Sequence, residues 1–476
     1  MGPGPLACSM IPSLESVLAA QRAAFERGAP DAAARRAALA ALATLLRAEQ
    51  EAFVRAVSED FGGRAREETL LLELFPLRDE IRRARRRLRG WMRPRRVRPA
   101  WFLLPARARV MYQPLGVVGV IGAWNYPLLL TLSPLVGALA AGNHAIVKPS
   151  EIAPRTAALL ARLLADRFAP EYVTAVTGGP DVAAALAALP LDHLVFTGST
   201  RVGRLVMRAA SERLTPVTLE LGGKSPAIVH RDYPVERAAE RIAAGKLLNA
   251  GQTCVAPDYA LVARDRVDAF RAAVERAAGR LYPRLVDNAD YTRIVSAAHW
   301  QRLDALVADA RAGGAETVVI DPARETFGAE NRVFPPTLVI APGDDRAVMQ
   351  EEIFGPVLPI VPYDTLDGAI AYVGGRPRPL ALYYFDDDGT RVRRVLERTT
   401  SGGVTVNDVV LHLGQDDLPF GGVGPSGMGH YHGFDGFERF SKKKGVMLQS
   451  RWTPIALLRP PYDRRVRALV DRLLRL

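Results

Sequence analysis

Cysteine is nearly absent from this 476-residue chain, which carries only Cys8 and Cys254. Two thiols cannot build a disulfide framework or a structural zinc site, so the composition points to a reducing compartment, the cytoplasm. No other cluster of metal-ligating residues stands out, and no metal is expected. Lysine is also scarce, 6 residues against 57 arginines, so the net charge of +12 is carried almost wholly by guanidinium groups. The densest run is IRRARRRLRGWMRPRRVRP, residues 81–99. Basic runs of this kind are ordinarily solvated helix faces, and the arginine excess extends along the whole chain, so nucleic acid is not expected as a partner. Long apolar runs are missing as well. Residues 115–147 carry no formal charge, but Asn125, Pro127, Pro134, Gly137 and Asn143 interrupt them. That stretch predicts a buried strand–loop–helix–strand rather than a membrane span. The start, MGPGPLACSMIPS, has neither a basic nor an apolar region of a secretory signal, and Cys8 reads as an ordinary residue of a loose terminus.

What is present is a long alternation. The length leaves room for two or three domains. Residues 12–60 and 65–98 carry Ala, Leu, Arg and Glu at helical spacing and predict long amphipathic helices. Short apolar strands and helices then alternate: strands over 116–124, 144–150, 172–178, 193–199 and 216–223, with helices over 156–168, 181–189 and 201–214 between them. Strands and helices of these lengths predict right-handed βαβ units and a parallel sheet, an α/β fold. A second α/β pattern begins after Lys224 and runs to about Val410. The stretch NAGQTCVAPDY, 249–259, falls near the junction.

Several residues could carry chemistry. FTGSTRVG, 196–203, follows a strand and opens a helix, where small residues let an anion approach backbone N–H groups. A plain glycine turn would look the same. Lys148 and Glu151 lie at the carboxyl end of another strand, where open α/β sheets gather ligands. They read either as a ribose-binding pair or as a surface ion pair; lysine retained in an arginine-rich chain favours the first. Glu220, between Leu219 and Leu221, is either half-exposed or a buried base with a raised pKa. Cys254 is either a small buried hydrophobe or a nucleophile, and without metal-ligand partners nucleophilic catalysis is its one chemical use. Asn125, polar in an apolar surround, could donate to an oxyanion. None of the seven histidines suits a cysteine–histidine pairing. Trp124, Tyr126, Tyr259 and the His430–Tyr431–His432 segment suggest an aromatic-lined entrance.

Taken together, GAWNYP (122–127), KPSE (148–151), FTGSTRVG, LELGGKSP (219–226), NAGQTCVAPDY, EEIFGP (351–356) and LPFGGVGPSGMGHYHG (418–433) resemble the aldehyde dehydrogenase superfamily over nearly the whole chain. Thr253 and the APDY after the cysteine look like its class 3 group, and among those like bacterial coniferyl aldehyde dehydrogenases. The resemblance implies a Rossmann-like NAD(P)-binding domain (1–101 and 119–220), a catalytic domain (221–412), oligomerisation segments (102–118 pairing with 427–447) and a tail (448–476). It implies oxidation of an aldehyde to the acid with NAD, NADP being possible, through a cysteine thiohemiacetal and thioester, in a homodimer. Cys254 would be the nucleophile, Glu220 the base and Asn125 an oxyanion donor. Lys148 and Glu151 would hold the adenosine ribose, and Gly198, Ser199 and Gly203 the pyrophosphate. Glu352, Phe354 and Trp124 would lie at the nicotinamide end. An aromatic substrate of the coniferyl type is expected, with a medium- or long-chain aliphatic aldehyde as the alternative. A basic nucleic-acid-binding protein or a silent structural relative on the same scaffold is the alternative from another class.

Overall fold

In the computed structural model, which describes residues 13–475, three sheets organise the chain. Cys8 and the N-terminal segment around it lie outside the described residues. The first sheet contains β3 (Val117–Ile121), β4 (His144–Lys148), β5 (Val173–Ala175), β6 (His193–Thr197), β7 (Val217–Glu220) and β15 (Gly427–Met428), in the order β15-β7-β6-β3-β4-β5. All its pairings are parallel except β15–β7. The second holds β8 (Pro226–Val229), β9 (Tyr259–Ala263), β10 (Glu316–Val319), β11 (Thr337–Ile340), β12 (Val357–Tyr363), β13 (Ala381–Phe385) and β14 (Gly403–Val406). Its order is β10-β11-β12-β9-β8-β13-β14, parallel apart from β10–β11. A small antiparallel sheet joins β1 (Arg95–Val97), β2 (Arg107–Pro114) and β16 (Ser441–Leu448).

The strands of the first sheet read as continuous apolar runs because helices cover both of its faces. On one face lies the helix Leu129–Ala141, every residue of which is buried. The uncharged 115–147 stretch is therefore strand, loop, helix and strand, and among the described residues no helix is long and apolar enough to cross a membrane.

The N-terminal half departs from the expected long helices. Residues 12–60 break into Leu14–Glu26, Ala32–Ala48 and Gln50–Phe61. Pro30 and Asp31 make the first break, with the Asp31 carboxylate accepting from Ala34 N at the next helix start. Residues 65–98 hold a short helix, a π-helical turn at Leu70–Leu74, and the helix Phe75–Trp91. The π turn adds a residue per turn and places Glu73 in the interior. The basic patch on the last helix is met by acid: Arg83 and Arg87 pair with Asp79 and Asp417. Strand β2 finds its partner at 441–448, slightly beyond the expected 427–447 segment, while Gly427–Met428 belongs to the first sheet beside β7.

Candidate active site

The carboxyl ends of the first-sheet strands open into a cavity of about 690 Å³. Asn125, Lys148, Glu151, Ser199, Glu220 and Cys254 all line it, and so do Trp124, Gly198, Glu352 and Phe354. Gly203 sits one turn into the helix that follows, and a Cβ there would meet the Leu221 side chain at 2.7 Å. Segments separated by more than a hundred residues thus converge on one space. The cavity wall is mainly apolar, so the few polar groups on it are poorly solvated.

The loop that carries Cys254 is held in an unusual shape. Asn249, Ala250 and Gly251 adopt φ values of 53°, 51° and 74°, three left-handed residues in succession. Two are not glycine, a conformation that costs of order 1–3 kcal/mol each. At Gly251 a Cβ would come within 2.3 Å of the Gly355 carbonyl oxygen, so no larger residue fits. Hydrogen bonds fix the shape. Asn249 N donates to the Glu68 carboxylate at 2.7 Å. Gln252 spans to a neighbouring loop, donating to Arg293 O at 3.1 Å and accepting from Val295 N at 2.9 Å. The Thr253 and Tyr126 hydroxyls lie 2.7 Å apart.

Asn125 is drawn into the same frame. Its side-chain Nδ2 donates to Gln252 O at 3.1 Å, which leaves its second N–H free. Its backbone oxygen accepts from Arg64 Nη1 and Asn249 Nδ2, both at 3.1 Å. Arg64 in turn forms a fully buried ion pair with Glu73 at 2.9 Å. The second Glu73 oxygen accepts from Leu128 N and Leu129 N, capping the buried helix where its dipole favours an anion. Arg64, Glu68 and Glu73 were not singled out from the sequence. Glu73 carries the signal that marks Glu220, an acid among leucines; Arg64 in an arginine-rich chain carries none.

The reactive groups have a different environment. Both Glu220 oxygens lack a hydrogen-bond partner, and its side chain is 3% exposed. Burial pushes its carboxyl well above the usual range, opposed by the charge of Arg439. Of the two readings of Glu220, the buried one holds. Burial, followed by the charges of Glu352 and Glu220, pushes the Cys254 thiol up to about 12. Burial thus disfavours the charged form of both groups. Glu352 is raised to about 8 by burial and by Asp258, and its carboxyl lies so close to Gly222 that a Cβ there would come within 2.0 Å of it. The segment that carries it is anchored by Lys224, which bonds Asp258 at 2.5 Å and the carbonyls of Val348 and Glu351. Asp258 accepts from Ile353 N.

The other end of the cavity suits a dinucleotide. Lys148 is buried, with its ammonium 2.6 Å from a Glu151 oxygen, and the Glu151 side chain is 39% exposed on the cavity edge. That pair offers a donor and an acceptor for ribose hydroxyls, beside a carboxylate that repels a 2′-phosphate. At the start of the helix Thr200–Ser211, Ser199 caps Val202 N and Gly198 leaves the backbone bare, since a Cβ would strike the Phe196 ring at 2.6 Å. This end of a helix attracts phosphate. Trp124 and Phe354 meet edge-on on the cavity wall, ring centroids 5.4 Å apart. Tyr259 departs from the expected entrance: it is buried under Lys224 and against Tyr372 in the second sheet.

Parallel α/β sheets whose strand ends open onto a long cleft, with a cysteine and a buried carboxyl on its wall, suit a nicotinamide-dependent oxidoreductase. The comparisons sharpen this. The profile of the "Aldehyde dehydrogenase family" matches residues 13–446, and the chain belongs to that family. A Pseudomonas aeruginosa protein named "Probable coniferyl aldehyde dehydrogenase" is 52% identical over 97% of this chain and 96% of its own length. The coniferyl aldehyde dehydrogenase of Pseudomonas sp. strain HR199 is 45% identical over 95% of this chain and 94% of its own. Among solved structures, the substrate-bound Staphylococcus aureus AldH superimposes with a TM-score of 0.92 at 36% identity, covering 97% of this chain and all of that one. A Mycobacterium tuberculosis aldehyde dehydrogenase complexed with NAD+ gives 0.83 at 30% identity, covering 92% and 90%. The chain is thus an NAD(P)-dependent aldehyde dehydrogenase, with NAD the cofactor its cleft fits.

Proposed function

We propose that this enzyme oxidises an aromatic, coniferyl-type aldehyde to its acid, with Cys254 as nucleophile, Glu220 as base and Asn125 as oxyanion donor. The observation that carries the reading is that Cys254 and Glu220, among the described residues the one free thiol and the one partnerless buried carboxyl of the wall, face a single cavity together with Lys148, Glu151 and Ser199.

The Cys254 sulfur bonds to the aldehyde carbon as its proton passes to solvent water in the cleft, because a thiol held near 12 is scarcely ionised beforehand. The new oxyanion is met by the second N–H of Asn125 and the backbone N–H of Cys254. NAD supplies the hydride acceptor when bound, with Lys148, Glu151, Gly198, Ser199 and Gly203 holding its adenosine and phosphate half and Glu352, Phe354 and Trp124 its nicotinamide end. The acyl group is left on sulfur as a thioester. Glu220 takes a proton from water, whose oxygen displaces the sulfur and frees the acid.

The aromatic substrate is supported by the names of the relatives at 45–52% identity and by the apolar cavity wall. A homodimer is supported by the edge strands β1 and β16 of the small sheet and by the exposed Trp101, Met447 and Leu448 beside them. A cytoplasmic setting fits the two cysteines. Steady-state oxidation of coniferyl, cinnamyl and straight-chain aldehydes with NAD and NADP, ranked by kcat/KM, tests the substrate and cofactor together. A preference for long aliphatic chains would overturn the aromatic assignment.

A further inference from the structure

The cavity holds a buried polar side chain with no part in the chemistry above. Tyr431 is 1% exposed, lines the same space as Cys254 and Glu220, and its hydroxyl has no hydrogen-bond partner. Native structures leave few buried hydroxyls unpaired, and those that remain call for an explanation. Both Glu220 oxygens are unpaired as well, and so is Thr197 Oγ1 on the neighbouring strand. The backbone brings Tyr431 and Glu220 together. Strand β15 runs antiparallel to β7 with Gly427 opposite Glu220, and four residues on the chain delivers Tyr431 to the cavity wall.

The ring is locked in place. Its edge meets His432 at 4.7 Å and Phe420 at 6.4 Å between centroids. The Tyr431 carbonyl abuts Gly436, where a Cβ would sit 2.0 Å from its oxygen. Burial, with the charges of Glu220 and Cys254 next in weight, raises the phenol far above its ordinary range, so the hydroxyl stays neutral at any working pH. A neutral hydroxyl on a fixed ring can both give and accept a hydrogen bond.

We propose that Tyr431 is a positioning residue for deacylation, its hydroxyl and the Glu220 carboxylate holding the hydrolytic water between them at the Cys254 thioester. This rests on the roles of Cys254 and Glu220 given above. One water hydrogen goes to Glu220 and the other to the Tyr431 oxygen, which turns a lone pair of the water towards the acyl carbon. The carbon–oxygen bond forms as the proton passes to Glu220. The carbon–sulfur bond then breaks, and its electron pair returns to sulfur. Without the hydroxyl the water is held at one point and turns freely about it.

The test is a single turnover that needs no cofactor. p-Nitrophenyl acetate acetylates the enzyme, and rapid quenching with intact-mass detection follows loss of the acetyl group from Cys254. In Tyr431→Phe the adduct is expected to form in full yield and to decay about tenfold more slowly in water, the loss of one hydrogen bond to a charged assembly. Hydroxylamine, an acyl acceptor stronger than water, is expected to clear the adduct equally fast in both proteins. The yield counts correctly folded sites, so partial misfolding lowers the yield and leaves the decay constant readable. Decay in water at the wild-type rate overturns the proposal, and so does a hydroxylamine reaction slowed in the same proportion. Cys254→Ala is expected to form no adduct; an adduct there would overturn the assignment of the nucleophile, whatever Tyr431→Phe does.

Discussion

The cleft and the loops behind it hold two kinds of polar side chain. Asn125, Gln252, Asn249, Glu68, Arg64 and Glu73 each have hydrogen-bond partners in the protein, several of them charged or backbone groups. Glu220 and Tyr431, equally buried, have none, and Cys254 stands beside them as a neutral thiol. The first set is tied into the protein and holds the strained 249–251 turn in place, with Arg64 Nε and Nη2 and Asn249 Oδ1 its atoms left over. The second set has paid the desolvation cost without a return inside the protein, and only substrate and water can complete it. Bonded side chains build the frame, and the proposed chemistry falls to side chains left wholly without partners.

Substitutions can break that division, and the largest effect belongs to the unsatisfied side. Cys254→Ala is expected to leave no turnover of aldehyde with NAD, measured as absorbance of the reduced cofactor, because among the described residues no other free thiol faces the cavity. Glu220→Gln comes next. A general base contributes about 10²–10⁴-fold, so steady-state turnover should fall within that range while acyl-enzyme accumulates and is seen by intact mass. On the satisfied side the loss should appear in stability instead. Glu73→Gln keeps the shape but leaves the buried Arg64 charge unpaired, which costs about 3–5 kcal/mol. Urea denaturation of the variant should show that loss, and the protein that remains folded should turn over at close to the native rate. Asn125 belongs to both sets, bonded to Gln252 O by one N–H and free by the other. Asn125→Ala should therefore lose about 10²–10³ in kcat with a smaller loss of stability.

The same division explains what the sequence reveals. The strands and helices of both sheets are legible because each is a short apolar run at a distinct period, set by burial on two faces. Cys254 stands out by rarity, and Glu220 by being an acid between leucines. The frame is far less visible. Arg64 reaches Asn125 across 61 residues and Glu68 reaches Asn249 across 181, contacts that no local pattern encodes. The π turn at 70–74 depends on the tertiary pairing of Glu73, and helical spacing alone reads through it. Tyr259 shows the reverse error. An aromatic five residues after the cysteine invites a place at the entrance, but the strand β9 carries it into the second sheet under Lys224.

The smallest expected effect concerns the thiol itself and bears on whether the unsatisfied side is truly neutral at rest. Burial first, then Glu352 and Glu220, hold Cys254 near 12. Between pH 7 and 9 the thiolate is then a minor species whose fraction grows about tenfold for each pH unit, as for any acid titrated well below its pKa. Alkylation of Cys254 by iodoacetamide in the cofactor-free enzyme should rise in step, with no plateau below pH 9, when followed by intact mass. Glu352 loses its proton near 8 within this window, and the negative charge it then carries is part of what holds the thiol up. The slope above pH 8 should therefore flatten slightly in the native enzyme and stay constant in Glu352→Gln. A plateau near pH 7 in either protein would mean that the thiol is already ionised at rest, and that the cleft stabilises an anion instead of excluding one.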